Sequence, residues 1–185
     1  MIEVRFHGRG GQGAQVASKI LAVAYFHEGF YVQSFPAFGV ERRGAPVMAF
    51  LRVDQQPILL RVNIYEPDHI VILDPTLIGA VDVTSGLKPK AWILINSGQP
   101  PEAFNHLKPF QTATVDATSI ALRNGLGSRT NPIVSTAILG AFSKVTGLVK
   151  IDSIALAIRE EVPGKKGENA QAAREAYQEV KFNTA

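Results

Sequence analysis

The stretch IEVRFHGRGGQG, residues 2–13, decides the fold. Its first half alternates apolar with polar side chains, a period of two that predicts a strand over residues 2–7. Four glycines follow this strand: Gly8, Gly10, Gly11 and Gly13. Apolar residues then recur at helical spacing from residue 16 to about residue 26, and we expect Gly29 to end that helix. The chain therefore opens with a strand, a glycine-rich turn and a helix.

In the rest of the chain, predicted strands come first and predicted helices follow them. Further strands are predicted at residues 31–35, 69–74, 91–96 and 111–116. Two more β-rich runs, residues 47–53 and 58–62, are joined by turn-forming residues and predict an antiparallel hairpin. Helices are predicted at residues 117–124, 133–146, 151–161 and 166–180. Asp152 stands where it would cap the third of these helices.

This order of elements predicts the fold class α/β. We expect a Rossmann-like three-layer domain with a mixed sheet that includes the antiparallel hairpin, and a helical C-terminal quarter. No internal repeat, low-complexity tract or linker interrupts the 185 residues, so a single domain over residues 1–185 is expected.

The composition excludes several classes of protein. The net charge is +3 and 46% of the residues are hydrophobic, which is typical of a globular domain. Because the chain has no cysteine, it can hold no disulfide, no thiolate zinc site and no cysteine-ligated iron–sulfur cluster. No block of like charge is longer than Arg42-Arg43 or Lys165-Lys166, so nucleic-acid binding is not expected. A basic leader and a run of roughly 20 apolar residues are both missing, so we expect a cytoplasmic protein without membrane contact.

The glycine-rich turn is a candidate anion site. Its spacing matches the Gly-x-Gly-x-x-Gly dinucleotide fingerprint, but Ser34-Phe35-Pro36 occupies the place of the ribose-binding acid. A nucleotide-hydrolysing P-loop is also excluded, since Ala14-Gln15 replaces its Lys and Ser/Thr. What remains is a helix N-terminus that either receives a phosphate or carboxylate or only permits close packing. Arg9 adds a positive charge, and Lys19 either reaches back to the anion or extends into solvent.

Three polar residues end predicted strands. His7 lies beside the glycines and either contacts a phosphate or, as we prefer, is a histidine satisfied within the protein. Asp74 and Asn96 end neighbouring apolar runs, where they either bind a ligand or cap the following turns. Pro75 favours capping for Asp74.

A second motif, which we name the arginine loop, comprises residues 38–46 and reads Phe-Gly-Val-Glu-Arg-Arg-Gly-Ala-Pro. Guanidinium groups suit carboxylates and phosphates, and Glu41 could orient Arg42 or Arg43 while the other faces a partner or a ligand. The alternative is a solvated ion pair worth roughly 0–1 kcal/mol.

Together, residues 8–13 and residues 35–46 resemble the gamma subunit of a 2-oxoacid:ferredoxin oxidoreductase. The resemblance extends in order over nearly the whole chain, with supporting motifs at residues 72–75, 131–132 and 167–169. The Glu-Arg-Arg-Gly-Ala-Pro form is similar to the pyruvate and 2-oxoisovalerate members. Pyruvate, as in pyruvate synthase, is the first choice of substrate.

The resemblance implies a complex that oxidatively decarboxylates a 2-oxoacid to acyl-CoA and passes electrons to ferredoxin. The partners would be alpha, beta and delta subunits, which would carry the thiamine diphosphate, Mg and iron–sulfur clusters. This chain would hold no catalytic residue and no metal, would be inactive alone, and could form a homodimer when isolated.

The resemblance also implies the residues of the site. Candidates for binding the coenzyme A phosphates are Gly8, Arg9, Gly10, Gly11, Gln12, Gly13, Ser18 and Lys19. Candidates for a subunit interface or an anion site are Glu41, Arg42 and Arg43. Two alternatives stay open: a free-standing Rossmann-like nucleotide-binding oxidoreductase and a pure assembly scaffold.

Overall fold

A mixed sheet of seven strands forms the centre of the computed structural model, which describes residues 1–37 and 43–182. A separate two-stranded ribbon consists of β7 (Gly127–Ser128) and β8 (Asn131–Pro132). The strands of the main sheet are β1 (Ile2–Arg9), β2 (Tyr31–Pro36), β3 (Pro46–Asp54), β4 (His69–Ile72), β5 (Trp92–Asn96), β6 (Gln111–Val115) and β9 (Lys181–Phe182).

The spatial order of the main sheet is β2-β3-β1-β4-β5-β6-β9. Strands β1, β4, β5 and β6 run parallel to one another, while β3 is antiparallel to β1 and β2. At the far edge, β9 is antiparallel to β6. The first strand therefore lies inside the sheet, hydrogen-bonded on both sides, and the glycine-rich turn leaves from its end.

Five α-helices pack on one face of this sheet and enclose the larger hydrophobic core. They are α1 (Ala14–His27), α2 (Ala117–Arg123), α3 (Ala137–Thr146), α4 (Ile151–Glu161) and α5 (Lys166–Glu179). The other face has a smaller core under two 3₁₀ helices, Pro75–Leu77 and Pro101–Leu107. The predicted α/β class, mixed sheet and helical C-terminal quarter are confirmed. None of the helices within the described residues is both long and apolar enough to span a membrane.

The prediction of a hairpin between residues 47–53 and 58–62 is wrong in its second strand. Both edges of β3 are already occupied, by β1 on one side and by β2 on the other. Residues 58–62 therefore form no strand, and the side chain of Gln33 holds them through a 3.0 Å hydrogen bond to the carbonyl of Leu60. The antiparallel hairpin of this fold is formed by β2 and β3.

Two helix starts also differ from the prediction. The helix expected from residue 133 begins at Ala137, because Asn131 and Pro132 pair in the small ribbon before it. Asp152 does not cap α4, whose N-cap is Lys150. Its carboxylate instead accepts a 2.7 Å hydrogen bond from Arg174 on α5. Gly29 follows the end of α1 with φ +88°, as expected for a glycine that ends a helix.

The packing of α3 against α5 in the large core depends on one glycine. A Cβ on Gly140 in α3 would lie 1.7 Å from the carbonyl oxygen of Ala173 in α5. That atom belongs to helix backbone, which cannot move aside without displacing α5. Gly167, near the start of α5, has no heavy atom within 4 Å of such a Cβ.

We expect Gly140→Ala to lower the free energy of unfolding by about 3 kcal/mol, at the upper end of overpacking effects. Gly167→Ala is the matched control, because it makes the same change in a helix that has room for it. It should leave stability unchanged or raise it by up to about 1 kcal/mol. Urea unfolding followed by circular dichroism measures both, and equal stabilities of the two variants would contradict the packing described here.

Candidate functional site

The glycine-rich turn is short, because β1 extends through Arg9 and α1 begins at Ala14. Gly11 and Gly13 have φ angles of +97° and +82°, in the left-handed region that favours glycine. A Cβ on Gly13 would also lie 3.0 Å from the Oγ of Ser135. The turn therefore requires glycine at these positions and brings the start of α1 against the segment that leads into α3.

The N-terminus of α1 has no side-chain cap and no acidic residue in its first turn. The N-cap residue is Gly13, which has no side chain and so offers no side-chain acceptor to the first N–H groups of the helix. Aligned peptide dipoles give such an end a partial charge of roughly +0.5. The end of α1 is therefore suited to binding an anion.

A cleft of about 580 Å³ opens in front of this helix end. Its walls include Gly11, Gly13, Lys19, Ser135, Glu161 and Lys165. The N-cap residues of α3 and α5, Thr136 and Lys165, also line the cleft, and neither helix has a side-chain cap. Three helix N-termini thus meet at one cleft, although Glu168 in the first turn of α5 offsets part of the positive potential there.

The two lysines of the cleft have different partners. Lys19 Nζ lies 2.5 Å from Glu161 Oε2, and the Lys19 side chain is 61% exposed. An exposed ion pair of this kind contributes only about 0–1 kcal/mol, so an anion can compete for the lysine. Lys165 donates a 2.6 Å hydrogen bond to the carbonyl of Gly125. The cleft therefore carries two cations and one carboxylate.

Arg9 and Gln12 do not both face the cleft; their side chains form hydrogen bonds that hold the turn. The Arg9 guanidinium donates to Asp74 Oδ2 at 3.1 Å, to the Gly44 carbonyl at 3.1 Å and to Thr76 Oγ1 at 2.7 Å. Gln12 lines the cleft, but its amide oxygen accepts from the N–H of Arg9 at 2.7 Å. The arginine expected to bind phosphate is thus already hydrogen-bonded to three other residues of the chain.

Ser18, which was expected to bind the coenzyme A phosphates, does not lie at the site. It is fully buried against the sheet, and its hydroxyl lies 2.6 Å from Ser34 Oγ and 2.8 Å from the Phe50 carbonyl. No phosphate can reach it there. Gly8 is buried in β1 and does not line the cleft, whereas Gly11, Gln12, Gly13 and Lys19 do.

The glycine-rich turn and the arginine loop are hydrogen-bonded to each other. Gly10 donates to the Ala45 carbonyl at 2.9 Å, and Gly44 donates to the Gly10 carbonyl at 3.1 Å. Arg43 is exposed and forms an isolated parallel β-bridge with Gly10. Glu41 and Arg42 lie outside the described residues. The two motifs that are separate in sequence thus form one corner of the molecule.

Asp74 caps the turn that follows β4, as predicted. It accepts hydrogen bonds from the N–H of Thr76 at 3.0 Å and from its hydroxyl at 2.6 Å. Although partial burial raises the pKa of the carboxyl, the hydrogen bonds from Thr76 and Gln12 and the charge of Arg9 outweigh it, so the pKa lies below its ordinary value. Asp74 is therefore ionised at neutral pH.

His7 is a histidine satisfied within the protein, which agrees with the interpretation preferred from the sequence. It is buried in β1, and its Nε2 accepts a 3.0 Å hydrogen bond from Arg5 Nε. Burial, reinforced by the charge of Arg5, lowers the pKa of His7 to about 3. The imidazole is therefore neutral and serves as an acceptor, which a protonated ring could not do.

Several residues of the cleft were missed by the sequence reasoning. Ser135, Thr136 and Glu161 belong to no motif and reach the cleft only because α4 packs beside α1 and the segment before α3 lies against Gly13. Asn131 and Asn169 also line it, and both lie in the supporting motifs of the family resemblance. In the described residues, no three side chains of His, Asp or Glu are grouped as a metal site requires.

Comparisons with known proteins identify the family. The family model for pyruvate ferredoxin/flavodoxin oxidoreductase matches residues 3–179. The pyruvate/ketoisovalerate oxidoreductases common subunit gamma of Pyrococcus furiosus is 57% identical over 184 residues, which cover 97% of each chain. The crystal structure of the pyruvate oxidoreductase subunit PORC from Thermotoga maritima superposes with a TM-score of 0.84 at 35% identity, covering 99% of this chain and 98% of that one.

A more distant structure shares the fold. The 2-oxoglutarate:ferredoxin oxidoreductase from Magnetococcus marinus, solved with 2-oxoglutarate, coenzyme A and succinyl-CoA bound, gives a TM-score of 0.75 at 16% identity. The match covers 96% of this chain and 30% of that one.

The chain belongs to the pyruvate ferredoxin/flavodoxin oxidoreductase family. Within that family it is a gamma subunit of a multi-subunit 2-oxoacid:ferredoxin oxidoreductase.

We expect the buried His7 to make the fold sensitive to acid. The unfolded chain takes up a proton as the pH falls through about 6.5, whereas folded His7 stays neutral to about pH 3. Its contribution to stability is therefore complete above about pH 6.5 and decreases by up to about 1.4 kcal/mol per pH unit below that value. His7→Gln keeps an acceptor for Arg5 without titrating, so its free energy of unfolding should fall less between pH 7 and pH 5. Parallel pH profiles from urea titrations would contradict this account.

Proposed function

We propose that this chain binds the phosphates of coenzyme A in the cleft at the start of α1. The observation that carries the proposal is the uncapped helix end, beside which Lys19 lies in an exposed and weakly held ion pair. Coenzyme A carries a diphosphate and a further phosphate on its ribose, so it offers several anionic groups to such a site. The bound coenzyme A in the M. marinus enzyme, which shares the fold, is in keeping with the proposal.

The chemistry of the cleft suits a phosphorylated ligand with a long organic arm. Amides of Gly11 and Gly13 and the ammonium groups of Lys19 and Lys165 would bind phosphate oxygens. Much of the remaining wall is apolar, with Val16, Ile20, Leu126 and Ile133 among its residues. Apolar walls with a few polar groups are typical of ligand clefts.

This chain would assist catalysis without touching the reacting atoms. Binding the phosphates supplies binding energy far from the thiol, which the complex can use to hold the thiol beside the acyl group. We assign the iron–sulfur clusters to the partner subunits, since this chain has no cysteine to ligate iron, and we assign thiamine diphosphate and Mg to the partner subunits as well. Thiamine diphosphate supplies the decarboxylation chemistry there.

We also propose that the chain helps to assemble the complex with alpha, beta and delta subunits. Arg43 is exposed next to the glycine-rich turn, so the arginine loop with Glu41 and Arg42 would meet the alpha or beta subunit there. Large apolar side chains are exposed elsewhere, with Leu59 at 87% and Tyr65 at 71%. Such surfaces suit partner subunits, or a homodimer when the chain is isolated.

The choice of 2-oxoacid would be made by other subunits. The P. furiosus relative is named as common to pyruvate and ketoisovalerate oxidoreductases, so in that organism two oxidoreductases share one gamma subunit. Pyruvate is the substrate we propose for the present complex.

Two substitutions with opposite expected effects test the site. Lys19→Ala removes a phosphate-binding cation and should raise the KM for coenzyme A roughly three- to tenfold, with kcat and the KM for pyruvate unchanged. Glu161→Gln removes the carboxylate that competes for Lys19 and should lower the same KM. Steady-state kinetics of the assembled complex measures both.

Lys150→Ala is the control for a lost surface charge, because Lys150 is exposed outside the cleft and bonds to Glu28 through its backbone N–H. It should leave all constants unchanged. If Lys19→Ala and Glu161→Gln behave like this control, the chain is an assembly scaffold and does not bind coenzyme A at this cleft.

A further inference from the structure

The two carboxylate oxygens of Asp74 serve different parts of the molecule. Among the described residues, Oδ1 accepts from Thr76 alone, through the N–H and the hydroxyl of that residue. Oδ2 accepts from Arg9 Nε at 3.1 Å, at the end of β1, and from Gln12 Nε2 at 3.0 Å, in the glycine-rich turn, so its partners lie 62 or more positions earlier in the chain. One side chain thus joins the turn after β4 to the turn after β1.

Arg9 and Gln12 extend this link in two directions. Gln12 also accepts from the N–H of Arg9, so it closes the glycine-rich turn on itself. Arg9 also donates to the carbonyl of Gly44, so it reaches the arginine loop. Through these two side chains, Asp74 contacts both motifs.

A turn with so many glycines needs such restraint. Glycine loses more conformational freedom on folding than any other residue. If the turn were loosely held, ordering it on binding would cost free energy and weaken the affinity for the ligand. Gly11 is exposed and has no heavy atom within 4 Å of a Cβ built on it, so packing does not hold it. Hydrogen bonds hold the turn instead: backbone bonds join Gly10 to the arginine loop, and the side chains of Arg9, Gln12 and Asp74 supply the others.

We infer that Asp74 is a positioning residue that fixes the glycine-rich turn through its Oδ2 and ties that turn to the arginine loop. Asp74 itself does not line the cleft, so it acts through Arg9 and Gln12. The inference rests on the proposed function only for its kinetic consequence.

Asp74→Asn cuts this link selectively. The amide oxygen can still accept from Thr76, so the cap of the 3₁₀ helix is kept. The amide nitrogen replaces Oδ2 and is a donor, so it faces the two donors on Arg9 and Gln12. In the assembled complex we expect the KM for coenzyme A to rise about tenfold, while kcat and the KM for pyruvate stay within about twofold.

The chain offers a matched control in a second Asp-x-Thr turn. Asp82 accepts from the N–H of Thr84 at 3.1 Å and from its hydroxyl at 2.9 Å, as Asp74 does from Thr76, but it makes no hydrogen bond to the glycine-rich turn. Asp82→Asn should leave every kinetic constant unchanged.

Hydrogen exchange in the assembled complex reports on the link without coenzyme A. The amides of Gly10 and Gly44, which join the two motifs, should exchange faster in Asp74→Asn than in the native complex or in Asp82→Asn. Adding Gln12→Glu to Asp74→Asn restores an acceptor opposite the new donor, and it should recover at least half of the lost protection.

The outcomes separate this inference from the proposed function. If exchange at Gly10 and Gly44 is the same in Asp74→Asn and Asp82→Asn, the inference is overturned. If exchange rises but neither Asp74→Asn nor Lys19→Ala changes the KM for coenzyme A, the link exists and the proposed function fails. If Lys19→Ala alone raises that KM, the proposed function stands and Asp74 does not position the site.

Discussion

The antiparallel register of β1 and β3 is the constraint on which the site depends. It places Arg9 opposite Pro46, so the end of one strand meets the start of the other. The glycine-rich turn leaves from the first and the arginine loop arrives at the second, and two backbone hydrogen bonds join them. Because β1 also pairs with β4 on its other side, the base of the turn cannot shift, and Asp74 arrives beside it from the end of β4.

Much of the fold could be predicted because its elements have local signals. Alternation in β1 and helical periodicity with a terminal glycine in α1 are properties of neighbouring residues, and both elements form where the pattern places them. The partner of β3 could not be predicted in this way. Residues 58–62 have strand-like composition, but pairing depends on which edge of β3 is free, and β1 and β2 occupy both. Competition between distant segments for the edge of one strand cannot be predicted from a short window of sequence.

Less of the candidate site than of the fold could be predicted from the sequence. The backbone of the turn follows from its glycines, whose φ angles no other residue adopts easily. Ser18 was included because the family resemblance implied it, yet it shares the buried face of α1 with Ala14, Ala17 and Leu21 at helical spacing, and that periodicity excludes it from solvent. Arg9 has the charge of a phosphate ligand, but its partners Asp74 and Thr76 come from the turn after β4, which only the folded sheet brings near.

Buried charge helps to specify the register that creates this corner. Glu3 lies opposite Arg52 in the pairing of β1 with β3, and their side chains form an ion pair of 2.8 Å with Arg52 only 1% exposed. Such a pair adds little net stability, because removing two charges from water offsets most of their attraction. The ion pair does, however, strongly disfavour other registers of β1 against β3. A slip of one residue would turn Arg52 toward the apolar face under α1 and leave its charge unpaired, at a penalty of several kcal/mol. The same slip would move Pro46 away from Arg9, so the ion pair that excludes it also keeps the glycine-rich turn beside the arginine loop.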